Sequence, residues 1–277
     1  MNKTIEHPLK KYFRGKINYT TCPGCGNGII SQSILRAIDE LAINFDNIAF
    51  VSGIGCSGWI PSPSFNTDVL HVTHGRSIAF ATGLKLAAPQ MKVIVSVGDG
   101  DTGSIGGNHL IHAARRNIDL TVICINNQIF GMTGGQVAPS TPYNSKTTTT
   151  PYGSIERPFN LSNLAIAAGA TFAACWTTYQ ARPLKNSIKK AIMHKGFSFI
   201  EVVSQCPVQY GKVMGMRNDP VGMLMHYKEN SVNIRDSKNI SEDELKDKII
   251  VGEFLEKKNV PELTEEVKRM RREAKKR

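Results

Sequence analysis

The sequence predicts an α/β fold built on a doubly wound, mostly parallel sheet. Apolar, strand-like runs alternate with helical patterns of ~10–15 residues, the order of elements typical of such sheets. One run, "KVIVSVG" at 92–98, is continuously apolar, as parallel strands are when helices cover both faces. The length of 277 residues is compatible with one large domain of this class or with two small ones.

The elements can be assigned in order along the chain. The first helix is indicated by apolar residues on one helical face, among them Ile30, Ile34 and Ile38. Pro89 ends the second helix, which is rich in small residues. The predicted helices are 28–43, 75–89, 106–117, 160–169 and 184–195, and the predicted strands are 47–53, 92–98, 119–125, 171–176 and 197–204.

Two segments depart from this alternation. The stretch 131–158 is too long for a simple connection and is rich in Gly, Thr, Ser and Pro, so we expect a loop that is functional or disordered. Beyond residue 225 the sequence predicts charged helices, starting with a capping box of Ser241 and Glu244. We therefore divide the chain into a main domain, 1–225, and a C-terminal extension, 226–277.

The composition is that of an ordinary soluble globular protein, with 41% hydrophobic and 21% charged residues. No apolar run approaches the ~18–20 residues of a membrane span. The charged start of the sequence lacks the apolar stretch of a signal peptide, so we expect a cytoplasmic location. The net charge is +11, but residues 268–277 contribute +6 of it without interleaved aromatic residues, which does not favour nucleic-acid binding.

Two polar motifs follow consecutive predicted strands: "GDG" at 98–100 and "NNQIF" at 126–130. In a parallel sheet both emerge side by side at the carboxyl edge, where such sheets bind ligands. The two glycines let backbone N–H groups approach a diphosphate, and Asp99, Asn127 and the Ile129 carbonyl offer the oxygen ligands that Mg²⁺ prefers. The pair of motifs resembles the diphosphate motif of thiamine-dependent enzymes, in which these three positions bind the metal.

A third motif is misleading. "GIGCSG" at 53–58 fits the glycine pattern of dinucleotide-binding proteins and follows a strand. Pro61 and Pro63 prevent the helix whose N-terminus should hold the pyrophosphate, and no acidic residue follows at ~20 positions. The sequence therefore does not predict NAD binding.

The six cysteines fall into two groups. In a reducing compartment they indicate metal binding or catalysis rather than structural disulfides. Cys124 and Cys175 lie inside apolar strands, where buried thiols are common. The loop cysteines are Cys22, Cys25, Cys56 and Cys206. Four thiolates suit zinc or a [4Fe–4S] cluster, whereas a redox disulfide within the C-x-x-C pair would leave the last two without a role.

Six stretches together indicate a protein family: "TCPGCGNG", "GIGCSGW", "THGRSIAFATGLKLA", "GDGDTGSIGGNHLIHAARRN", "NNQIFGMTGGQ" and "SQCPVQYG". In this order they resemble the β subunits of 2-oxoacid:ferredoxin oxidoreductases, over roughly residues 15–225. Within that family the resemblance is greatest to the enzymes acting on 2-oxoglutarate. The main domain, 1–225, is thus expected to bind thiamine diphosphate and iron–sulfur.

The resemblance implies the cofactors and the reaction. The four loop cysteines would bind one [4Fe–4S] cluster beside thiamine diphosphate and Mg²⁺. The thiamine attacks the 2-oxo carbon, CO₂ leaves, two electrons pass singly through the cluster to ferredoxin, and coenzyme A takes the acyl group. The residues expected to bind thiamine diphosphate are Gly55, Cys56, His74, Gly98, Asp99, Gly100, Asp101, Asn127 and Ile129.

The resemblance also implies partners and further residues. The glutamate that activates the thiamine pyrimidine would lie on a separate α-type subunit, and γ/δ (ferredoxin-like) subunits are expected in the complex. His74 and Arg76 match family positions near the cofactor. The weaker candidates are Asn108 and His109, after a glycine pair, and Lys146 and Arg157, in the long loop.

Alternatives remain open from the sequence. The same chemistry on pyruvate or a branched-chain 2-oxoacid fits the same motifs. A thiamine-dependent decarboxylase without a redox step predicts no iron. A zinc protein or a nucleic-acid-binding protein is favoured only by the C-x-x-C pair and the basic tail.

Overall fold

The fold is described from a computed structural model over residues 7–15 and 20–276. Residues 1–6 and 16–19, at the charged start of the chain, and Arg277 of the basic tail lie outside these described residues. One eight-stranded sheet organises the described chain, with the strand order β2-β1-β3-β4-β6-β5-β8-β7. The strands are β1 Ile48–Ser52, β2 Asp68–His71, β3 Lys92–Gly98, β4 Thr121–Asn126, β5 Phe172–Thr177, β6 Ser198–Val203, β7 Ser231–Asn233 and β8 Ile249–Glu256.

Helices lie on both faces of the sheet. They are α1 Asn27–Glu40, α2 Ser77–Ala87, α3 Gly107–Arg115, α4 Leu161–Ala167, α5 Ala181–Met193, α6 Tyr210–Val213, α7 Pro220–Asn230, α8 Glu242–Leu245 and α9 Leu263–Ala274. All strand pairs are parallel except β5 with β8. The predicted doubly wound, mostly parallel sheet is confirmed.

The continuous apolar sequence of β3 has a physical explanation in this arrangement. Ile94 packs into a core with α1 and α5 on one face, whereas Val93, Val95 and Val97 pack into a second core with α2, α3 and α4 on the other. Successive side chains of a strand point to opposite faces, so a strand covered on both sides carries apolar residues on both faces. Burying each of these side chains stabilises the fold by about 1.5–3 kcal/mol.

The C-terminal part of the chain is less helical than the sequence predicts. The predicted capping box of Ser241 and Glu244 is present at the start of α8. Residue 226 lies inside α7, and β8 joins the main sheet by pairing antiparallel with β5. The charged residues around β8 conceal its strand pattern, because this strand lies towards the sheet edge and is only partly buried. The division at 225 and 226 stays a prediction.

The last helix is fixed to the amino edge of the sheet. Glu262 caps α9 by accepting hydrogen bonds from the N–H groups of Thr264 (2.8 Å) and Glu265 (3.1 Å). The same carboxylate accepts the N–H of Asp119 at 3.0 Å, and Asn117 donates its side-chain amide to the Pro261 carbonyl at 2.9 Å. Both sheet contacts precede β4, so α9 begins at the edge where that strand starts.

Along the described part of the chain, none of the helices combines the length and the apolar character needed to cross a membrane.

Candidate active site

The two polar motifs meet at the carboxyl edge of the sheet. β3 and β4 are neighbouring parallel strands, and Gly98 at the end of β3 lies opposite Ile125 near the end of β4. The loops at 99–101 and 126–130 therefore start next to each other. Asp99 is almost completely buried between them, with 2% of its surface exposed. Such an edge is where open α/β sheets bind their ligands.

A cavity of about 280 Å³ opens at this edge. All nine residues predicted to bind the cofactor line it: Gly55, Cys56, His74, Gly98, Asp99, Gly100, Asp101, Asn127 and Ile129. The sequence did not single out the other lining residues, which are Ile54, Ser57, Ile125, Phe130, Gly131, Met132 and Thr133. The cavity is thus polar at its base, where the two motifs meet, and apolar towards its mouth.

Asp99 is held by the long loop that follows β4. The Ser140 hydroxyl donates a hydrogen bond to Asp99 Oδ2. Burial raises the pKa of Asp99 to about 6, opposed by the hydrogen bonds from Ser140 and from backbone N–H groups that include Asn127. A buried carboxylate with so few neutralising neighbours is suited to a cation. Ser140 was missed because serine in a Ser/Thr-rich loop carries no distinguishing pattern.

The two asparagines of the second motif have different surroundings. Asn127 lines the cavity, and its Oδ1 accepts the N–H of Ile129 at 3.2 Å. Asn126 instead points back into the protein, where its amide donates to Glu201 Oε1 at 2.7 Å. Glu201 is buried in β6, and its other oxygen accepts the N–H and the hydroxyl of Ser162 at 3.0 and 2.6 Å. The first asparagine therefore fixes the loop, and the second lines the cavity with one lone pair of its Oδ1 left for a ligand.

Close packing explains a glycine of the first motif. A Cβ on Gly100 would overlap the ring of Phe130, which lines the same cavity. Any larger residue would push the two loops apart. The backbone at the base of the cavity is thereby left open to a close approach by a ligand.

Asp101 lies behind His74. It is buried, its Oδ1 accepts the N–H of Gly75, and the same oxygen lies 3.4 Å from His74 Nδ1. Burial is the main cause that raises the pKa of Asp101, while the Gly75 N–H and His74 lower it. His74 Nδ1 also lies 3.3 Å from the Ile54 carbonyl. These contacts hold the half-buried imidazole against the cavity wall.

The other candidate residues from the sequence lie away from the cavity. Arg76 is exposed, and its Nη1 lies 2.7 Å from His109 Nε2. Burial and then the Arg76 charge lower the pKa of His109, so its neutral ring can accept that hydrogen bond. The remaining three candidates, Asn108, Lys146 and Arg157, are exposed and do not line the cavity.

The four loop cysteines come together from three segments. Gly26, next to Cys25, donates its N–H to the Gln205 carbonyl at 3.0 Å, which ties the C-x-x-C loop to the segment of Cys206. Asn27 donates its side-chain amide to the Cys56 carbonyl at 2.9 Å. A Cβ on Gly26 would overlap the Ser204 hydroxyl, so glycine is required for this approach.

The thiols of this set influence one another. Burial raises the pKa of Cys25 to about 12, and the thiols of Cys206, Cys56 and Cys22 add to the increase. Burial likewise raises the pKa of Cys56 to about 11, with contributions from Cys206 and Cys22. Electrostatic repulsion of this kind requires that the sulfur atoms be neighbours. We call these four residues the cysteine set.

The described side chains do not form a ligand group for a single metal ion. Within residues 7–15 and 20–276, no three or more His, Cys, Asp or Glu side chains converge in that way. All six cysteines are free. The thiolates of an iron–sulfur cluster each bind a different iron and need not converge on one point. Cys124 and Cys175 are buried in β4 and β5, as predicted for core thiols.

The cavity and the cysteine set are adjacent. Cys56 belongs to the set and also lines the cavity. A Cβ on Gly131 would lie 3.5 Å from Cys206 Sγ and 3.6 Å from Asn127 Nδ2. One residue, Gly131, thus separates the Cys206 segment from the polar base of the cavity.

The fold and the cavity define a thiamine diphosphate-binding domain. Residues 53–202 match the family model of the thiamine pyrophosphate enzyme, C-terminal TPP binding domain. The chain is 54% identical to 2-oxoglutarate synthase subunit KorB of Methanocaldococcus jannaschii over 95% of this chain and 97% of that protein. It is 53% identical to the subunit of the same name in Methanothermobacter thermautotrophicus, over 95% and 91%. The chain therefore belongs to the family of 2-oxoglutarate synthase KorB subunits.

A solved structure supports the same assignment. The 2-oxoglutarate:ferredoxin oxidoreductase from Magnetococcus marinus, with 2-oxoglutarate, coenzyme A and succinyl-CoA bound, matches with a TM-score of 0.85 and 31% sequence identity. The match covers 99% of this chain and 92% of that chain. The predicted class of enzyme, a β subunit of a 2-oxoacid:ferredoxin oxidoreductase, is confirmed by this match and by the curated relatives.

Proposed function

We propose that this chain is the subunit of a 2-oxoglutarate:ferredoxin oxidoreductase that holds the diphosphate of thiamine and passes electrons to ferredoxin. The complete reaction converts 2-oxoglutarate, coenzyme A and two oxidised ferredoxins to succinyl-CoA, CO₂, a proton and two reduced ferredoxins. The observation that carries this proposal is Cys56, which lines the cavity and belongs to the cysteine set. An electron acceptor at the cysteine set would lie directly beside the cofactor.

The residues at the base of the cavity fit thiamine diphosphate and Mg²⁺. Asp99 supplies a buried carboxylate, Asn127 a side-chain oxygen and Ile129 a backbone carbonyl, all at one edge of the cavity. Hard oxygen ligands of this kind, shared with phosphate oxygens, suit Mg²⁺. When bound, thiamine diphosphate supplies the nucleophilic carbon and the electron sink for loss of CO₂.

The protein's own side chains would orient the cofactor and the substrate. Ser140 fixes the Asp99 carboxylate, and Glu201 fixes the loop of the second motif through Asn126. Asp101 holds His74 at the cavity wall, where the imidazole can exchange a proton with a bound 2-oxoacid. Arg76 is exposed outside the cavity, so it would not contact the thiamine. We propose that it contacts a partner subunit or coenzyme A.

The cysteine set fits a [4Fe–4S] cluster. It provides four free thiols from three backbone segments that hydrogen bonds hold together. Thiolates are the usual ligands of such clusters, and binding iron would offset both the burial and the mutual repulsion that raise the pKa of Cys25 and Cys56. The cluster would take up electrons one at a time beside the cavity.

An α-type subunit would cover the mouth of the cavity. Ile54 and Met132 line the cavity, yet both side chains are more than 40% exposed. Tyr152 and Ile155, in the same long loop as Ser140, are almost fully exposed. Large exposed apolar residues of this kind mark surfaces that bind another protein. The described residues form one sheet, and the diphosphate motif already occupies its carboxyl edge. The pyrimidine half of the thiamine site is therefore left to the other subunit.

The purified chain, without its partner, should therefore show no 2-oxoglutarate-dependent reduction of a viologen dye, because the pyrimidine half of the thiamine site lies on the other subunit. Co-expression with the α-type subunit should restore turnover with coenzyme A. The rate is measured anaerobically with 2-oxoglutarate, pyruvate and a branched-chain 2-oxoacid. Substantial activity of the isolated chain would contradict the two-subunit site, and preference of the complex for pyruvate would contradict the proposed substrate.

A groove between α1 and α5 provides a docking surface for an acidic, ferredoxin-like electron carrier. It starts beside the cysteine set, at Gly28 and Ala181, and its cationic side chains are Arg36, Arg182 and Lys185. Lys185 pairs with Glu40, but neither guanidinium has a hydrogen bond or an ion pair within the described residues. Complementary charge of this kind increases association rates more than affinity.

Charge reversal at Arg36 and Arg182 should slow ferredoxin reduction several-fold at low ionic strength and weaken its dependence on salt. Exposed charges are screened over ~8–10 Å near physiological ionic strength, so the wild-type rate should fall as salt is added. The measurement is kcat/KM for ferredoxin at increasing salt. A matched control reverses Arg271 and Arg272 on α9, the helix that starts at the opposite edge of the sheet. Equal effects of the two double variants would rule out this groove.

A further inference from the structure

Tyr227 is a buried residue whose hydroxyl has no obvious role in the fold. It lies in α7 with 1% of its surface exposed, and its hydroxyl has no hydrogen-bond partner within the described residues. Leaving a buried polar group unsatisfied costs about 1–3 kcal/mol. A phenylalanine would fill the same space without that cost, so the hydroxyl needs an explanation.

The helix that carries Tyr227 packs against the cysteine set. A Cβ on Gly24, inside the C-x-x-C loop, would overlap Pro220, the first residue of α7. One turn before Tyr227, Met223 belongs to a small apolar cluster that includes Cys206. Tyr227 itself packs against Val203, three residues before that cysteine. The tyrosine therefore stands behind two of the three cysteine segments.

The titratable groups near the hydroxyl include two thiols of the cysteine set. Its electrostatic neighbours are Tyr210 and the thiols of Cys206 and Cys25. Burial, and then these neighbours, raise the pKa of Tyr227 far above that of an exposed tyrosine. The phenol therefore stays protonated and can donate a hydrogen bond, while the backbone carbonyl of the same residue is occupied by the Ser231 hydroxyl at 2.5 Å.

We propose that the Tyr227 hydroxyl donates a hydrogen bond to a sulfur atom of the iron–sulfur cluster, on the side held by Cys25 and Cys206, and thereby raises its reduction potential. This inference rests on the proposed function, since it requires the cluster. A hydrogen bond to sulfur stabilises the more negative, reduced state, and the number of such bonds is one of the means by which a protein sets the potential. Tyr227 is a positioning and tuning residue in this scheme and does not contact the substrate.

The test is a redox titration of the cluster in the assembled complex, followed by electron paramagnetic resonance. Tyr227→Phe should shift the potential downwards, and site-specific 3-fluorotyrosine at position 227, a more acidic phenol, should shift it upwards. Tyr179→Phe is the matched control, because Tyr179 is a partly exposed tyrosine near α7 whose ring lies 5.8 Å from Lys228 Nζ. It should leave the potential unchanged.

The outcomes separate this inference from the proposed function. Absence of iron and sulfide from the wild-type complex would overturn the proposed cluster itself. A normal cluster whose potential is the same with tyrosine, phenylalanine and fluorotyrosine at position 227 would overturn only the hydrogen bond. If Tyr227→Phe does not retain its cluster, the fluorotyrosine protein, which keeps the shape and the hydroxyl, decides by the direction of its shift.

Discussion

Asp99→Ala in the assembled complex should abolish Mg²⁺-dependent binding of thiamine diphosphate without unfolding the protein. The diphosphate is held through the metal, and the metal loses its only charged protein ligand at the base of the cavity. We expect a loss of affinity on the order of 100-fold or more, since even indirect partners of metal ligands contribute 10–100-fold. Thermal stability without cofactor should not fall, because burial already disfavours the ionised Asp99 and raises its pKa.

Calorimetric titration of thiamine diphosphate, with and without Mg²⁺, measures this effect. Asn127→Ala should behave in the same way as Asp99→Ala. The control is Asp68→Ala, which removes an exposed carboxylate from β2 and should leave the affinity unchanged. Affinity close to that of the wild type in Asp99→Ala would refute the site.

Serine replacement of any member of the cysteine set should remove most of the iron and sulfide from the protein. A [4Fe–4S] cluster needs a thiolate on each iron, and the hydroxyl of serine is a poor substitute. Cys206→Ser is the most informative variant, because this ligand is ~180 residues from the C-x-x-C pair in the sequence. Iron and sulfide are counted after anaerobic purification, together with the visible absorption spectrum.

The controls for the cluster are the two core thiols. Cys124→Ala and Cys175→Ala remove sulfur atoms that are buried in β4 and β5 and do not belong to the cysteine set. Both should keep the full content of iron and sulfide, although each deletes a buried atom and will lower stability somewhat. Full cluster content in Cys206→Ser would exclude that residue as the fourth ligand.

The central part of the fold could be predicted because its local patterns agree with its tertiary packing. The strands at the middle of the sheet are covered on both faces, and their sequences are accordingly mostly apolar, with Glu201 of β6 as the main exception. The outer strands escaped prediction for the opposite reason. β2 is largely exposed, and β8 contains Gly252 with a φ of +138° and pairs through a register shift at Ala173 and Ala174. Pairing with a neighbour, rather than the local sequence, makes these segments strands.

The candidate site could be predicted in its motifs but not in their supports. The residues found in advance belong to short stretches with a recognisable order, and all nine expected at the cofactor line one cavity. Ser140, Glu201 and Tyr227 act from distant positions on a loop, a strand and a helix. Their residue types are common in such elements, so only the folded chain brings them to the motifs. Membership of a motif does not guarantee a place at the cavity either: Arg76 belongs to one of these motifs but contacts His109 instead.

The anchoring of α9 has a practical consequence for electrochemistry. The helix begins beside the residues that precede β4. The cysteine set and the cavity lie beyond the opposite, carboxyl end of β4. A strand of six residues spans about 20 Å. A tether at the exposed Glu265, in the anchored first turn of this helix, would therefore fix the enzyme to an electrode or a bead with its catalytic edge facing solution. Immobilised in this orientation, the protein would still bind its partner subunits and its soluble electron carrier. Direct electron transfer between the electrode surface and the cluster would be slow.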